Sequence, residues 1–143
     1  MKKIVILAIA VFSCSVMASC REKPVTFDQL PTAAKSYINT NFAGDKVVMA
    51  KLDDDFIRPD YEVRLSSGVE LKFNNSGSLE KVASHKGISA DLIPHSIREF
   101  VSEHYPTAGY RELEIGRRTY EVKLTNGLEL KFNSAFHVVE MDD

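Results

Sequence analysis

Tyr61-Glu-Val-Arg-Leu-Ser-Ser-Gly-Val-Glu-Leu-Lys-Phe-Asn74 decides the fold, because the chain carries this stretch twice. The second copy is Tyr120-Glu-Val-Lys-Leu-Thr-Asn-Gly-Leu-Glu-Leu-Lys-Phe-Asn133, identical at ten of 14 positions and mildly changed at the rest. Apolar and charged residues alternate strictly in both. Tyr61, Val63 and Leu65 alternate with Glu62 and Arg64, and Val69, Leu71 and Phe73 with Glu70 and Lys72. That period marks a half-buried antiparallel strand pair. A three-residue loop, Ser66-Ser67-Gly68 with its glycine left-handed, sets Leu65 against Val69, Val63 against Leu71 and Tyr61 against Phe73. On the other face Arg64 meets Glu70 and Glu62 meets Lys72. Copy two turns at Thr125-Asn126-Gly127, so Lys123 meets Glu129 and Glu121 meets Lys131. A slip of one residue would drive these charges into the core, so the register is strongly specified.

The repeat extends upstream. Asp28-Gln-Leu-Pro31 matches Asp91-Leu-Ile-Pro94, and Ile38 and Phe42 match Val101 and Tyr105, at an offset of 63 instead of 59. Copy one therefore carries four extra residues between Leu52 and Tyr61. After each proline, apolar residues recur every three or four positions: Ala34, Ile38 and Phe42, then Ile97, Phe100, Val101 and Tyr105. This is one buried stripe on a helix, and proline suits a helix start. Ala43-Gly44 and Pro106 end the two helices. Flanking strands are expected at about 46–52, 78–83, 109–115 and 136–141. The predicted fold is α+β: a tandem duplication of an α-β-β-β-β unit, with repeat 1 at 27–83 and repeat 2 at 88–143 in one domain, 27–143.

Residues 1–20 read as an export signal. Lys2 and Lys3 precede an apolar-to-small stretch from Ile4 to Ala18, too short to span a bilayer and closed by Arg21-Glu22-Lys23. Met17-Ala18-Ser19-Cys20 resembles a bacterial lipobox, with Met17 where leucine is usual, which makes Cys20 the lipidation candidate. The alternative is cleavage after Ala18 or Ser19, leaving a free thiol. Cys14 departs with the signal either way, so the mature chain holds no internal disulfide. Residues 21–26 read as a short tether. The expected location is the periplasm or outer membrane, with membrane contact only through a lipid on Cys20.

At 143 residues, 44% apolar and 27% charged, the composition is that of one globular domain. A formal charge of −2, lowered further when a signal bearing two lysines leaves, excludes the basic footprint of a nucleic-acid binder. Catalysis is not expected. His85, His95, His104 and His137 lack metal-binding spacing, no nucleophile motif is present, and no glycine-rich phosphate loop occurs. His104 reads as a solvated histidine, and Tyr110 and Phe136 as packing residues in strands.

The repeated proline-started helix, the Tyr-Glu-Val-x-Leu-x-x-Gly-x-Glu-Leu-Lys-Phe-Asn hairpin and the lipoprotein-type signal together resemble the PepSY-like, β-lactamase-inhibitor-like periplasmic proteins of Gram-negative bacteria. The resemblance covers residues 27–141. It implies one antiparallel sheet with both helices on one face and the other face open and somewhat concave. It implies no catalytic residues. Some members are described as calcium-regulated, and the lactamase inhibitor binds its target across the sheet. The inhibitor's disulfides are absent here, which argues against the same target.

Two candidate sites follow. The open face should carry Glu62, Arg64, Glu70, Lys72, Glu121, Lys123, Glu129 and Lys131, a mixed-charge surface for an unidentified periplasmic protein or peptide; the plain alternative is a solvated face of ion pairs. Asp53-Asp54-Asp55 with Asp60 breaks the repeat, since copy two has Gly116-Arg117-Arg118-Thr119 there. Calcium takes six to eight oxygens, and Asp53, Asp55 and Asp60 could supply carboxylates with a carbonyl from Asp54 or Phe56. The complete calcium-loop pattern is absent, so a solvated acidic turn is the competing reading. No other cofactor is expected.

Overall fold

Pro31 and Pro94 stand immediately before the two helices, α1 (Thr32–Asn41) and α2 (His95–His104). Proline fixes its own φ and has no N–H to lose, so it can precede a first turn at little cost. Each helix ends with one more backbone bond, Phe42 N–H to Ile38 O at 2.8 Å and Tyr105 N–H to Val101 O at 2.7 Å. The buried stripe is Ala34 and Ile38 on α1, and Ile97 and Val101 on α2. The computed structural model describes residues 21–55 and 57–143. The expected signal peptide and Cys20 lie outside them. Among the described residues no helix is long and apolar enough to cross a membrane.

Among the described residues, nine strands form one antiparallel sheet in chain order: β1 (Glu22–Pro24), β2 (Val47–Asp53), β3 (Asp60–Leu65), β4 (Glu70–Asn74), β5 (Leu79–Ile88), β6 (Tyr110–Ile115), β7 (Thr119–Leu124), β8 (Glu129–Asn133) and β9 (Val138–Asp142). Repeat 1 is α1 with β2–β5, and repeat 2 is α2 with β6–β9. Both hairpins have the register read from the sequence, with Tyr61 opposite Phe73 and Tyr120 opposite Phe132. Gly68 and Gly127 take φ of 91° and 93° at the turns, a region glycine enters without a Cβ penalty.

The helices cover one face. Phe73 and Phe132, both fully buried, are its centre. Tyr37 of α1 stands edge-on to Phe73 at 5.8 Å, and Phe100 of α2 edge-on to Phe132 at 5.6 Å, the geometry aromatic pairs favour. Burial raises the Tyr37 hydroxyl pKa to about 12. The repeats join through β5 and β6, where Val82 lies opposite Leu113 and both are buried.

Three expectations are corrected. Residues 21–26 are not a plain tether, because 22–24 form β1 along the outer side of β2, with Glu22 opposite Asp53. Two ion pairs hold that strand: Lys51 to Glu22 at 2.9 Å and Lys23 to Asp54 at 3.0 Å. β5 continues to Ile88, so 84–87 is strand and not a break between repeats. Phe136 lies in the turn before β9 instead of in a strand, with φ of 61°, tilted against Tyr120 at 5.0 Å. Asn133 shapes that turn by accepting the backbone N–H groups of Ala135 and His137.

Candidate functional site

Alternation sends every second side chain of each strand away from the helices. The strand registers link these residues into rows across the sheet. One row runs from Lys51 to Glu62, Lys72 and Lys81 in repeat 1, and continues as Glu114, Glu121, Lys131 and Glu140 in repeat 2. Beside it, Met49, Arg64, Glu70 and Ala83 continue as Glu112, Lys123, Glu129 and Asp142. All eight residues read from the sequence for this face stand in these two rows. In the two rows, repeat 1 presents four cations against two anions, and repeat 2 two cations against six anions.

Each repeat's quartet lines a shallow depression. Glu121, Lys123, Glu129 and Lys131 line one of about 190 Å³, rimmed by Glu112, Glu140 and Asp142. Glu62, Arg64, Glu70 and Lys72 line another of about 300 Å³, with Met49 and Lys81.

Three of the four expected ion pairs form: Arg64 with Glu70 at 2.7 Å, Lys131 with Glu121 at 2.8 Å, and Lys123 with Glu129. The fourth does not. Lys72 turns from Glu62 to Asp60 at 2.9 Å, and Glu62 pairs with Lys51 at 2.9 Å. Directly opposed and diagonal partners lie within reach of such long side chains, and Asp60, only 15% exposed, takes Lys72. The hydrogen bond Lys72 donates to Asp60 raises the Lys72 pKa, as bonds to Glu129 and Glu121 do for Lys123 and Lys131. Lys81 bridges the two repeats through Glu112 at 2.6 Å. Sequence reasoning missed Lys51, Lys81, Glu112, Glu114 and Glu140; the signal that could have found them was continuation of the alternation beyond the repeated hairpins.

The acidic loop is not gathered into a metal site. Asp53 lies opposite Asp60 at the mouth of β2 and β3, but Asp60 Oδ2 is held by Lys72 and Asp54 by Lys23. Asp55 Oδ1 accepts a long bond from Ile57 N–H at 3.5 Å, and Phe56 lies outside the described residues. Among the described residues no three acidic, histidine or cysteine side chains group to hold a metal ion. Two of the four loop carboxylates are thus engaged by lysines, Asp60 by Lys72 and Asp54 by Lys23. One oxygen stands out: Asp60 Oδ1 is buried without a hydrogen-bond partner among the described residues. His104, last in α2, stacks on Phe100 at 4.1 Å and contacts the Phe100 carbonyl through Nδ1.

Comparison with known proteins agrees with this geometry. Residues 15–81 and, again, 59–140 match the family described as "Putative beta-lactamase-inhibitor-like, PepSY-like". A crystal structure of a periplasmic protein from Bacteroides vulgatus is similar at 34% identity and a TM-score of 0.82, covering 87% of this chain and 99% of that one. A Bacteroides thetaiotaomicron structure described as a "putative calcium-regulated periplasmic protein" is similar at 34% identity and a TM-score of 0.82, covering 85% and 97%. A second B. vulgatus periplasmic protein, of unknown function, is 29% identical with a TM-score of 0.80 over 85% and 99%. Among curated proteins none matches significantly. The double match over both repeats, and structural likeness over nearly the full length of periplasmic relatives, place the chain in the PepSY-like, β-lactamase-inhibitor-like family.

Proposed function

We propose that the protein is a non-catalytic periplasmic binding module that docks a protein or peptide across its helix-free face. The observation that carries this reading is the pair of charged quartets, one per repeat, each around its own depression on the same face. Exposed ion pairs contribute little to stability, roughly 0–1 kcal/mol each, so their charges remain usable for recognition. Export through residues 1–20 and a lipid on Cys20 belong to the same reading. They are tested by the mass of the mature N-terminus from a Gram-negative host, alongside a Cys20→Ala chain.

The docking test is a double reversal, Glu121→Lys with Lys131→Glu. It keeps an ion pair inside the sheet but inverts the pattern a partner meets. Purified periplasmic partners held by the parent chain should be lost, with the melting temperature unchanged. Undiminished capture would overturn the reading.

Calcium responsiveness is a second reading, supported by the unpartnered Asp60 Oδ1 and by the description of the B. thetaiotaomicron relative. Melting in EDTA and then in millimolar calcium tests it. A rise of several degrees that Asp53→Asn with Asp55→Asn removes supports calcium; no shift sets it aside.

A further inference from the structure

The duplication supplies a template for a neighbour that its last strand lacks. β5 and β9 are the fourth strands of their repeats, and at the 59-residue offset Val82 corresponds to Met141 and Lys81 to Glu140. Val82 lies opposite Leu71, and Met141 opposite Leu130, at the same place over the core. Val82 is fully buried because β6 brings Leu113 against it, whereas Met141 is 56% exposed. Among the described residues no strand pairs with the outer side of β9. Val139, also 56% exposed, adds apolar surface there.

The opposite edge strand is shorter and carries a proline. β1 covers β2 along three residues, and its inward bonds are made by Arg21 O and Val25 N–H. Alternation therefore turns Pro24 outward, where it has no N–H to offer an incoming strand. β9 spans five residues without proline, and its two charged side chains, Glu140 and Asp142, are both acidic.

Charge selects the occupant. In the β5–β6 joint, Lys81 lies opposite Glu114 and pairs with Glu112, the two glutamates flanking Leu113. At β9 the sign is inverted, since Glu140 and Asp142 stand where Lys81 and Ala83 stand in repeat 1. Glu112, Glu121 and Glu129 line the depression beside them together with Lys123 and Lys131, the latter 3.8 Å from Glu140. A strand docked as β6 docks on β5 needs basic residues at the two glutamate positions and an apolar residue between them. A second copy pairing β9 with β9 would set acidic side chains against acidic ones, an unfavourable cross-strand arrangement.

We propose that the outer edge of β9 is a strand-addition site for an extended cationic peptide segment that alternates basic and apolar residues. Backbone hydrogen bonds supply attachment, an apolar side chain covers Met141, and flanking lysines or arginines meet Glu140 and Asp142. This mode of capture is known in kind, with ladder bonds giving affinity and alternate side chains giving specificity. It goes beyond the open-face reading, because it uses the sheet's edge and not the face alone.

The probes come from the chain itself: a labelled peptide of residues 109–116, and the same peptide carrying Glu112→Lys and Glu114→Lys. Fluorescence anisotropy against the full chain should show the lysine peptide binding roughly tenfold more tightly than the parent peptide. Glu140→Lys with Asp142→Lys, both exposed positions, should invert that order. Amide exchange should slow within 138–142. No binding of the lysine peptide, or an order that the double variant leaves unchanged, overturns the proposal. Protection confined to the face, lost in the Glu121→Lys and Lys131→Glu chain, overturns it while leaving the open-face reading standing. A dimer that sedimentation shows the peptide to dissociate assigns the edge to a second copy and also overturns it.

Discussion

A Cβ built on Gly77 would stand 2.7 Å from the Cβ of Pro31, and 2.9 Å from the backbone nitrogen of Ala34. The turn after β4 thus docks beneath the first turn of α1, at φ of 87°, where only glycine fits. Gly77→Ala combines a left-handed penalty with a backbone clash and should cost about 2–4 kcal/mol. Gly44→Ala, with nothing within 4 Å and no positive φ, is the control and should not destabilise. Urea unfolding of both variants checks the difference.

Phe73 and Phe132 occupy equivalent places under equivalent aromatic partners. Truncating either to alanine should cost about 3–5 kcal/mol, and the two losses should be similar. Because both sit in one continuous core, each variant should still unfold in a single transition, with near- and far-ultraviolet signals coincident. A variant that melts one repeat before the other would contradict this.

Asp45 secures the first hairpin turn. Its carboxylate accepts from Ser66 Oγ at 2.8 Å, Ser67 N at 3.0 Å and Ser67 Oγ at 2.5 Å. The hydroxyl bonds from Ser67 and Ser66 hold its pKa below the usual value. A lowered folded pKa contributes stability that is present above the unfolded value, about 3.9, and lost as pH falls through the folded one. Asp45→Asn should flatten the acid limb of the stability profile. Repeat 2 has Ala108 at the matching position and anchors its turn through Gly109 N–H to Thr125 Oγ1 at 2.9 Å, so Thr125→Ala should act equally at all pH values.

Lys51 behaves oppositely. Glu62 first, then Glu22, raises its pKa above the ordinary lysine value. Its contribution is complete below the unfolded pKa, about 10.4, and disappears as pH climbs through the raised value. Since Lys51 joins β1 to β2 and β3, Lys51→Met should speed amide exchange in 22–25 at neutral pH while leaving β3 and β4 protected.

The hairpins were legible because period, turn and charge all demanded one register. Tyr61 against Phe73 needed no information beyond its own 14 residues. β1 was not legible: three residues carry no period, and what makes them a strand is the open side of β2 together with Lys51 and Lys23. The turn at Phe136 was hidden for a related reason. Asn133 accepts the same two backbone N–H groups that Asn74 accepts in repeat 1, but the left-handed position Gly77 fills there is held here by Phe136, packed against Tyr120. On the candidate face, the positions of Glu62 and Lys72 were readable but their pairing was not, since flexible side chains choose among neighbours that only the assembled sheet supplies. The acidic loop read as a cluster because its members are close in sequence; in the sheet Asp54 and Asp60 are taken by separate lysines, Lys23 and Lys72.

The joint between β5 and β6 also bears on how such a chain came to be. A lone helix-and-four-strand unit would turn Val82 to water, and two units on separate chains would meet only above some threshold of abundance. Covalent connection fixes the local concentration of one unit around the other, so assembly no longer depends on expression level and melting should not change on dilution. Joining the two units in one chain turns an encounter between two molecules into a step of folding. The adhesive margin it did not consume is left at the far end of the sheet.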